Sequence, residues 1–141
     1  MKKEELICRS QAQVRFSDVD SMNVVWHGNY IKYFEDGREA FGNQFGINYL
    51  DFYNAGVLIP IVKIVCDYKK PLKYGDTAFI ETRFVNCDAA KLLYEYTIYR
   101  NDTNEIVATG SSIQVFLNLE MELLLDYPPF YYDWKMKHGL L

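Results

Sequence analysis

The chain lacks the features that mark most membrane, secreted and nucleic-acid-binding proteins. No run approaches the roughly 18 apolar residues that span a bilayer, and Met1-Lys2-Lys3-Glu4-Glu5 leads into no apolar signal core. No membrane span is expected, and a cytoplasmic protein is the default reading. Cysteine is sparse. The three present, Cys8, Cys66 and Cys87, form no CxxC pair and have no metal-ligand spacing, so they read as free thiols of a reducing compartment. There is no basic excess: the net charge of −4 argues against general nucleic-acid binding, which needs a basic face. A few local lysines still suffice for an anionic ligand, because binding follows the local field. Internal repeats, low-complexity runs and linkers are also missing.

What the chain has in quantity is aromatic surface. Twelve Tyr and nine Phe in 141 residues favour broad buried faces, or burial of further surface by oligomerising. Half the residues are apolar and 24% charged, a globular balance. The length fits one domain, read as residues 1–141 with a core over about 8–119 and a C-terminal arm over about 120–141.

The periodicity changes along the chain. Cys8, Ser10, Ala12, Val14 and Phe16 alternate with polar residues, the pattern of a half-buried strand. Ser17–Gly28 loses any period and reads as a loop. From Asn29 the period becomes helical, with Tyr30, Tyr33, Phe34, Gly37, Phe41 and Phe45 on one stripe. Asn29 or Gly28 is the expected N-cap and Gly46 the expected stop. A short helical piece over Asn48–Asn54, closed by Gly56, follows. Strands are then predicted over Val57–Tyr68 (irregular at Pro60), Thr77–Val85, Leu92–Arg100 and Glu105–Leu119, the last with Val107, Ile113, Val115 and Leu117 on one face. The tail after Tyr127 reads equally as a short helix or a packed arm. One long helix beside four long strands is most economically an antiparallel sheet curling around the helix. Gly37 and Ala40 would allow close approach, and a second copy would close an exposed edge.

The chemistry-bearing stretch is Val14-Arg15-Phe16-Ser17-Asp18-Val19-Asp20-Ser21-Met22-Asn23-Val24-Val25-Trp26-His27-Gly28-Asn29-Tyr30. It sets a carboxylate-bearing loop directly before a helix N-terminus, where unpaired N–H groups and a partial positive charge are available. Such donors suit an oxygen that becomes negative during acyl transfer, and a carboxylate can activate water or attack the acyl carbon. Paired aspartates in a loop also read as caps or turn formers.

This stretch resembles the active-site signature of the 4-hydroxybenzoyl-CoA thioesterase family of hotdog-fold proteins, including its short-chain acyl-CoA thioesterase branch. The shared pattern is a strand ending in an aromatic, D-x-D, a turn that often holds glycine, two aliphatics, an aromatic, His or Tyr, two residues, and Tyr or Phe. The resemblance covers roughly residues 8–119. It implies an α+β hotdog fold, a curved antiparallel β-sheet wrapped around one long central helix.

The resemblance also implies roles. Asp20 becomes the catalytic general base or nucleophile, and the N–H of His27 polarises the thioester carbonyl. The His27 ring reads equally as a group orienting water or substrate and as a capping side chain. Asn23 stands where the family often has glycine, and Asn tolerates left-handed φ better than most residues. Asn23, Trp26 and Tyr30 are the substrate-binding positions, although Tyr30 reads also as architecture and Trp26, Tyr33, Phe34 and Phe41 as core. Asp18 reads as a structural acceptor. Lys69, Lys70 and Lys73 read as a solvated turn or as contacts to CoA phosphates; His138 has no role. The implied substrate is an acyl-CoA, the implied assembly a homodimer or homotetramer, and neither metal nor organic cofactor is called for. Alternatives are an acyl-acyl-carrier-protein thioesterase and a non-catalytic acyl-CoA-binding protein of the same fold. A dehydratase is disfavoured by the lack of an Asp–His pairing.

Overall fold

The computed structural model describes residues 5–141; residues 1–4, part of the leader reading, lie outside the described residues. Five strands, β1 (Ile7–Gln13), β2 (Ile61–Tyr68), β3 (Thr77–Val85), β4 (Lys91–Arg100) and β5 (Ile106–Val115), form one antiparallel sheet in the order β1-β3-β4-β5-β2. The long helix α1 (Asn29–Phe45) packs against β1, β3 and β4; α2 (Tyr49–Asn54) and α3 (Pro129–Lys137) complete the chain. This is the hotdog arrangement that the sequence pattern implied. No helix among the described residues is long and apolar enough to cross a membrane.

The helix forms where the aromatic period begins and ends where it was expected to. Gly46 caps it at φ 78°, and its N–H donates to Gly42. Tyr30, Tyr33, Phe34, Gly37 and Phe41 are all buried. On the sheet, β3 and β4 alternate in burial, with Ala78, Ile80, Thr82 and Phe84 facing inward beside Ile98, Tyr96 and Tyr94. Antiparallel register lines Cys8, Thr82, Tyr96, Gly110 and Cys66 across the inner face. The helix sits on that row. Phe34 stacks on Tyr96 at 4.5 Å between centroids, and a Cβ on Gly110 would lie 2.4 Å from the Phe34 ring. A Cβ on Gly37 would lie 2.4 Å from Thr82 Oγ1, so the expected close approach is real at Gly37.

Three expectations are corrected. Val107 does not share a face with Ile113, Val115 and Leu117, because a bulge opposite Ile98–Tyr99 shifts the parity of β5. Its inner face instead carries Ala108, Gly110, Ser112 and Gln114. Phe16 is 78% exposed, since β1 stops at Gln13 and residues 16–18 form a 3-10 turn. Trp26 is half exposed rather than core.

The tail resolves into α3, started by Pro129 at its first position. Trp134 Nε1 donates to the Phe45 carbonyl at 2.7 Å, tying α3 to the end of α1. Lys135 is buried, and its Nζ donates to the Cys87 carbonyl and Tyr127 Oη, both at 2.9 Å, above the Tyr127 ring.

The seat of α1 sets a test. Gly110→Ala adds a methyl against the Phe34 ring and against the Val65 carbonyl, 2.5 Å from the Cβ position. Overpacking of this kind costs about 1–3 kcal/mol, and urea unfolding should show it as a lower midpoint with an unchanged slope; a wild-type midpoint would mean that the helix is free to lift.

Candidate active site

Residues 18–26 form a short hairpin rather than an open loop. Trp26 N–H donates to the Asp18 carbonyl and Asp20 N–H to the Val24 carbonyl, both at 2.9 Å, with Val19 and Val25 bridged between them. The turn at its tip needs a left-handed residue, and Asn23 supplies it at φ 61°. Asp20 Oδ1 accepts the Met22 N–H at 2.8 Å, an Asx-type contact that holds the carboxylate beside its own backbone. Asp20 itself is only partly buried.

Asp18 anchors this hairpin. Its Oδ2 accepts from Tyr33 Oη at 3.0 Å and from the Arg15 N–H at 2.9 Å, and its carbonyl accepts from Asn29 Nδ2 at 2.8 Å. The structural reading of Asp18 therefore holds. Burial, then the neighbouring Asp18 carboxylate, pushes the Tyr33 phenol well up, so it stays a donor at neutral pH. Val19 is extended (φ −98°, ψ 153°), so side chains 18 and 20 leave the same side of the strand.

Helix α1 starts without a side-chain cap. Gly28 is the N-cap residue, and no side chain accepts from the first turn. Asn29, one of the two expected caps, is the first helical residue and spends its side chain on Asp18. Among the described residues, the N–H groups of His27 and Gly28 have no hydrogen-bond partner. The Trp26 ring folds over Gly28; a Cβ would lie 2.0 Å from the indole, so any side chain here would displace that ring.

A shallow hollow of about 290 Å³ opens beside this helix start, lined by Val25, His27, Tyr30, Tyr68, Lys69 and Lys70 among others. Two of the five sequence-predicted site residues, His27 and Tyr30, line it; Asp20, Asn23 and Trp26 do not. Lys69 and Lys70 face it too, Lys70 paired with Glu105. Tyr68 was not foreseen. Its hydroxyl donates to the His27 carbonyl at 2.9 Å across 41 positions of sequence, and its ring meets Tyr30 edge-on at 5.1 Å. No local signal marks it, because a tyrosine ending a strand is ordinary. A larger groove of about 560 Å³ lies further along α1, where Arg38 and Gln114 face Ile59 and Tyr94. None of the predicted site residues lines it, so volume does not identify the site here.

Comparison with known proteins adds to this geometry. Residues 14–134 match the Thioesterase-like superfamily. The chain belongs to that superfamily. The match takes in the hairpin, α1, strands β2 to β5 and the arm as far as Trp134, beyond the limit near residue 119 that the motif alone supported. Over 128 residues the chain is 33% identical to "Putative acyl-CoA thioesterase YneP" of Bacillus subtilis (strain 168), covering 91% of this chain and 92% of that one. It is 27% identical over 110 residues to the 1,4-dihydroxy-2-naphthoyl-CoA hydrolase of Thermosynechococcus vestitus (strain NIES-2133 / IAM M-273 / BP-1), covering 77% and 75% of the two chains. The solved DHNA-CoA thioesterase of Staphylococcus aureus superposes with a TM-score of 0.84 at 23% identity, covering 94% and 91%, which establishes the shared fold.

The anchoring of the hairpin to the superfamily's helix is testable. Tyr33→Phe removes one hydrogen bond to a carboxylate, worth about 1.5–3 kcal/mol, and should lower the denaturant midpoint accordingly. Unchanged stability would show that the Arg15 N–H suffices to hold the Asp18 carboxylate.

Proposed function

We propose that the chain hydrolyses an acyl-CoA to the free acid and CoA, with Asp20 as general base or nucleophile and the helix entrance as the oxyanion donor. What carries the reading is the uncapped start of α1. A helix N-terminus with unpartnered N–H groups at 27 and 28 is suited to an oxygen that gains charge as the thioester carbonyl becomes tetrahedral. The hairpin supports the rest, because residues 18 and 20 leave the same side of their strand and Asp18 reaches Tyr33 on α1.

In this reading the thioester oxygen accepts from the His27 N–H. The Asp20 carboxylate takes a proton from water as that water attacks the carbonyl carbon, or attacks the carbon itself to form a mixed anhydride that water then cleaves. Either route expels the CoA thiolate. The pantetheine arm runs through the hollow beside His27, with Lys69 and Lys70 near the CoA phosphates. The His27 ring, tilted against Trp26 at 4.8 Å, borders the same space and serves to orient substrate or water. Asn23 sets the hairpin tip, Trp26 covers the helix entrance, and Tyr30 forms the floor.

The assembly proposed is a homodimer or homotetramer. Strand β2 is an edge of the sheet and exposes Ile61, Val62, Val65 and Tyr68, the kind of apolar edge that a second copy covers. A partner at that edge would also wall the hollow, which is open to solvent in the single chain.

A thiol-release assay across short, long and aromatic acyl-CoAs, each compared with the same acyl group on an acyl carrier protein, tests the reading. Turnover should favour the CoA ester, and Asp20→Asn should lower kcat by about a hundredfold or more while leaving circular dichroism unchanged. Preference for the carrier protein would move the substrate assignment to that class. Full activity in Asp20→Asn would remove Asp20 from the chemistry, and binding without thiol release would make the protein a non-catalytic acyl-CoA binder.

A further inference from the structure

We infer that Tyr68 is a positioning residue for this reaction: from the far end of β2 its hydroxyl fixes the 27–28 peptide, and so the aim of the N–H groups at the helix entrance. The inference rests on the hydrolytic reading and adds a residue to it.

The geometry follows peptide by peptide. The 27–28 peptide is trans, so its carbonyl and its Gly28 N–H point in opposite directions. The carbonyl accepts from Tyr68 Oη at 2.9 Å and from the Tyr30 N–H at 3.3 Å. The second bond is local to the turn and long; the first reaches across 41 residues. Holding the carbonyl toward β2 sends the Gly28 N–H away from that strand. One peptide earlier, the Trp26 carbonyl accepts from the Asn29 N–H at 2.9 Å, which orients the His27 N–H. The Trp26 N–H is itself tied to Asp18, also at 2.9 Å. The turn is therefore pinned in sequence: the Trp26 N–H to the hairpin, the Trp26 carbonyl to the helix at Asn29, and the His27 carbonyl to β2. Tyr68 is the pin on the β2 side.

The hydroxyl is well placed to do this and poorly placed to transfer a proton. Its ring is set edge-on to both Tyr30, at 5.1 Å, and His27, at 6.3 Å, which fixes where the oxygen sits. Its hydrogen is committed to the carbonyl. Burial, together with the neighbouring Cys66 thiol, raises the phenol above its ordinary range.

Tyr68→Phe keeps both ring contacts and removes the bond alone. The substitution removes one oxygen and keeps the ring against Tyr30 and His27, so the variant should fold with little change in melting temperature. We expect kcat to fall roughly tenfold, as for a modest misplacement of transition-state donors. KM should stay within about twofold, and the pH profile of kcat should keep its shape. Wild-type kcat in Tyr68→Phe would overturn the inference. So would a raised KM with kcat unchanged, which would make Tyr68 a substrate contact. A changed pH profile would make it a proton-transfer group instead. Asp20→Asn measured in parallel separates the two claims: if it is inactive while Tyr68→Phe is normal, only the role of Tyr68 falls; if it is fully active, the hydrolytic reading falls whatever Tyr68 does.

Discussion

The position of α1 along the sheet governs everything built around its ends, and three contacts set it. Phe34 stacks on Tyr96, the missing side chain of Gly110 admits the Phe34 ring, and Gly37 lets the helix backbone rest on Thr82 and Ile80. Interlocked packing of this kind leaves few alternative translations, because sliding by one turn would drive Phe34 into a strand that bears a side chain. Arg38, one residue after Gly37, donates to Tyr96 Oη, and Tyr96 is hydrogen-bonded in turn to Ser112 on β5. Helix, β4 and β5 are thus joined at one polar point inside an aromatic core.

Once that seat is fixed, the helix start is carried to a place that two distant segments can reach. From one side the 18–26 hairpin arrives, held by Asp18 to Tyr33 and Asn29. From the other side β2 delivers Tyr68 to the His27 carbonyl. Neither attachment is local in sequence, yet both depend on the helix being where Phe34 and Gly37 put it. The arm contributes at the opposite end, where Trp134 holds the last turn of α1.

The parts of this architecture that were legible in the sequence are those written in period and in backbone chemistry. Thr77–Val85 matches β3 as predicted because its alternation is uninterrupted, and Gly46 ends α1 because a left-handed residue is needed there. Asn23 was legible for the same reason, being one of the few residue types that tolerates its φ of 61°. Expectation failed where a single residue broke the pattern or where burial depended on distant groups. The bulge at Val107 inverts the faces of β5 without any change in composition. Phe16 looked like the last inward residue of a strand, but the chain had already turned. The tail stayed undecided between helix and arm because what seats it is distant: Tyr127 and the Cys87 carbonyl hold the buried ammonium of Lys135. Tyr68 belongs to the same class, since its partner lies 41 residues away.

The arrangement of carboxylate and helix start has a further logic. An aspartate just before a helix is ordinarily its N-cap, accepting the free N–H groups and gaining about 1 kcal/mol for doing so. Had Asp20 taken that place, its carboxylate and the N–H groups of the helix start would have satisfied each other. The hairpin prevents this. It turns the chain back at Asn23 and gives Asp20 Oδ1 the Met22 N–H instead. Asn29, one of the two expected caps, is drawn one residue inside the helix and committed to Asp18. The uncapped end is therefore accompanied by specific contacts that commit Asp20 to the Met22 N–H and Asn29 to Asp18, and the capping energy forgone is the stability cost of leaving the N–H groups of His27 and Gly28 unpartnered.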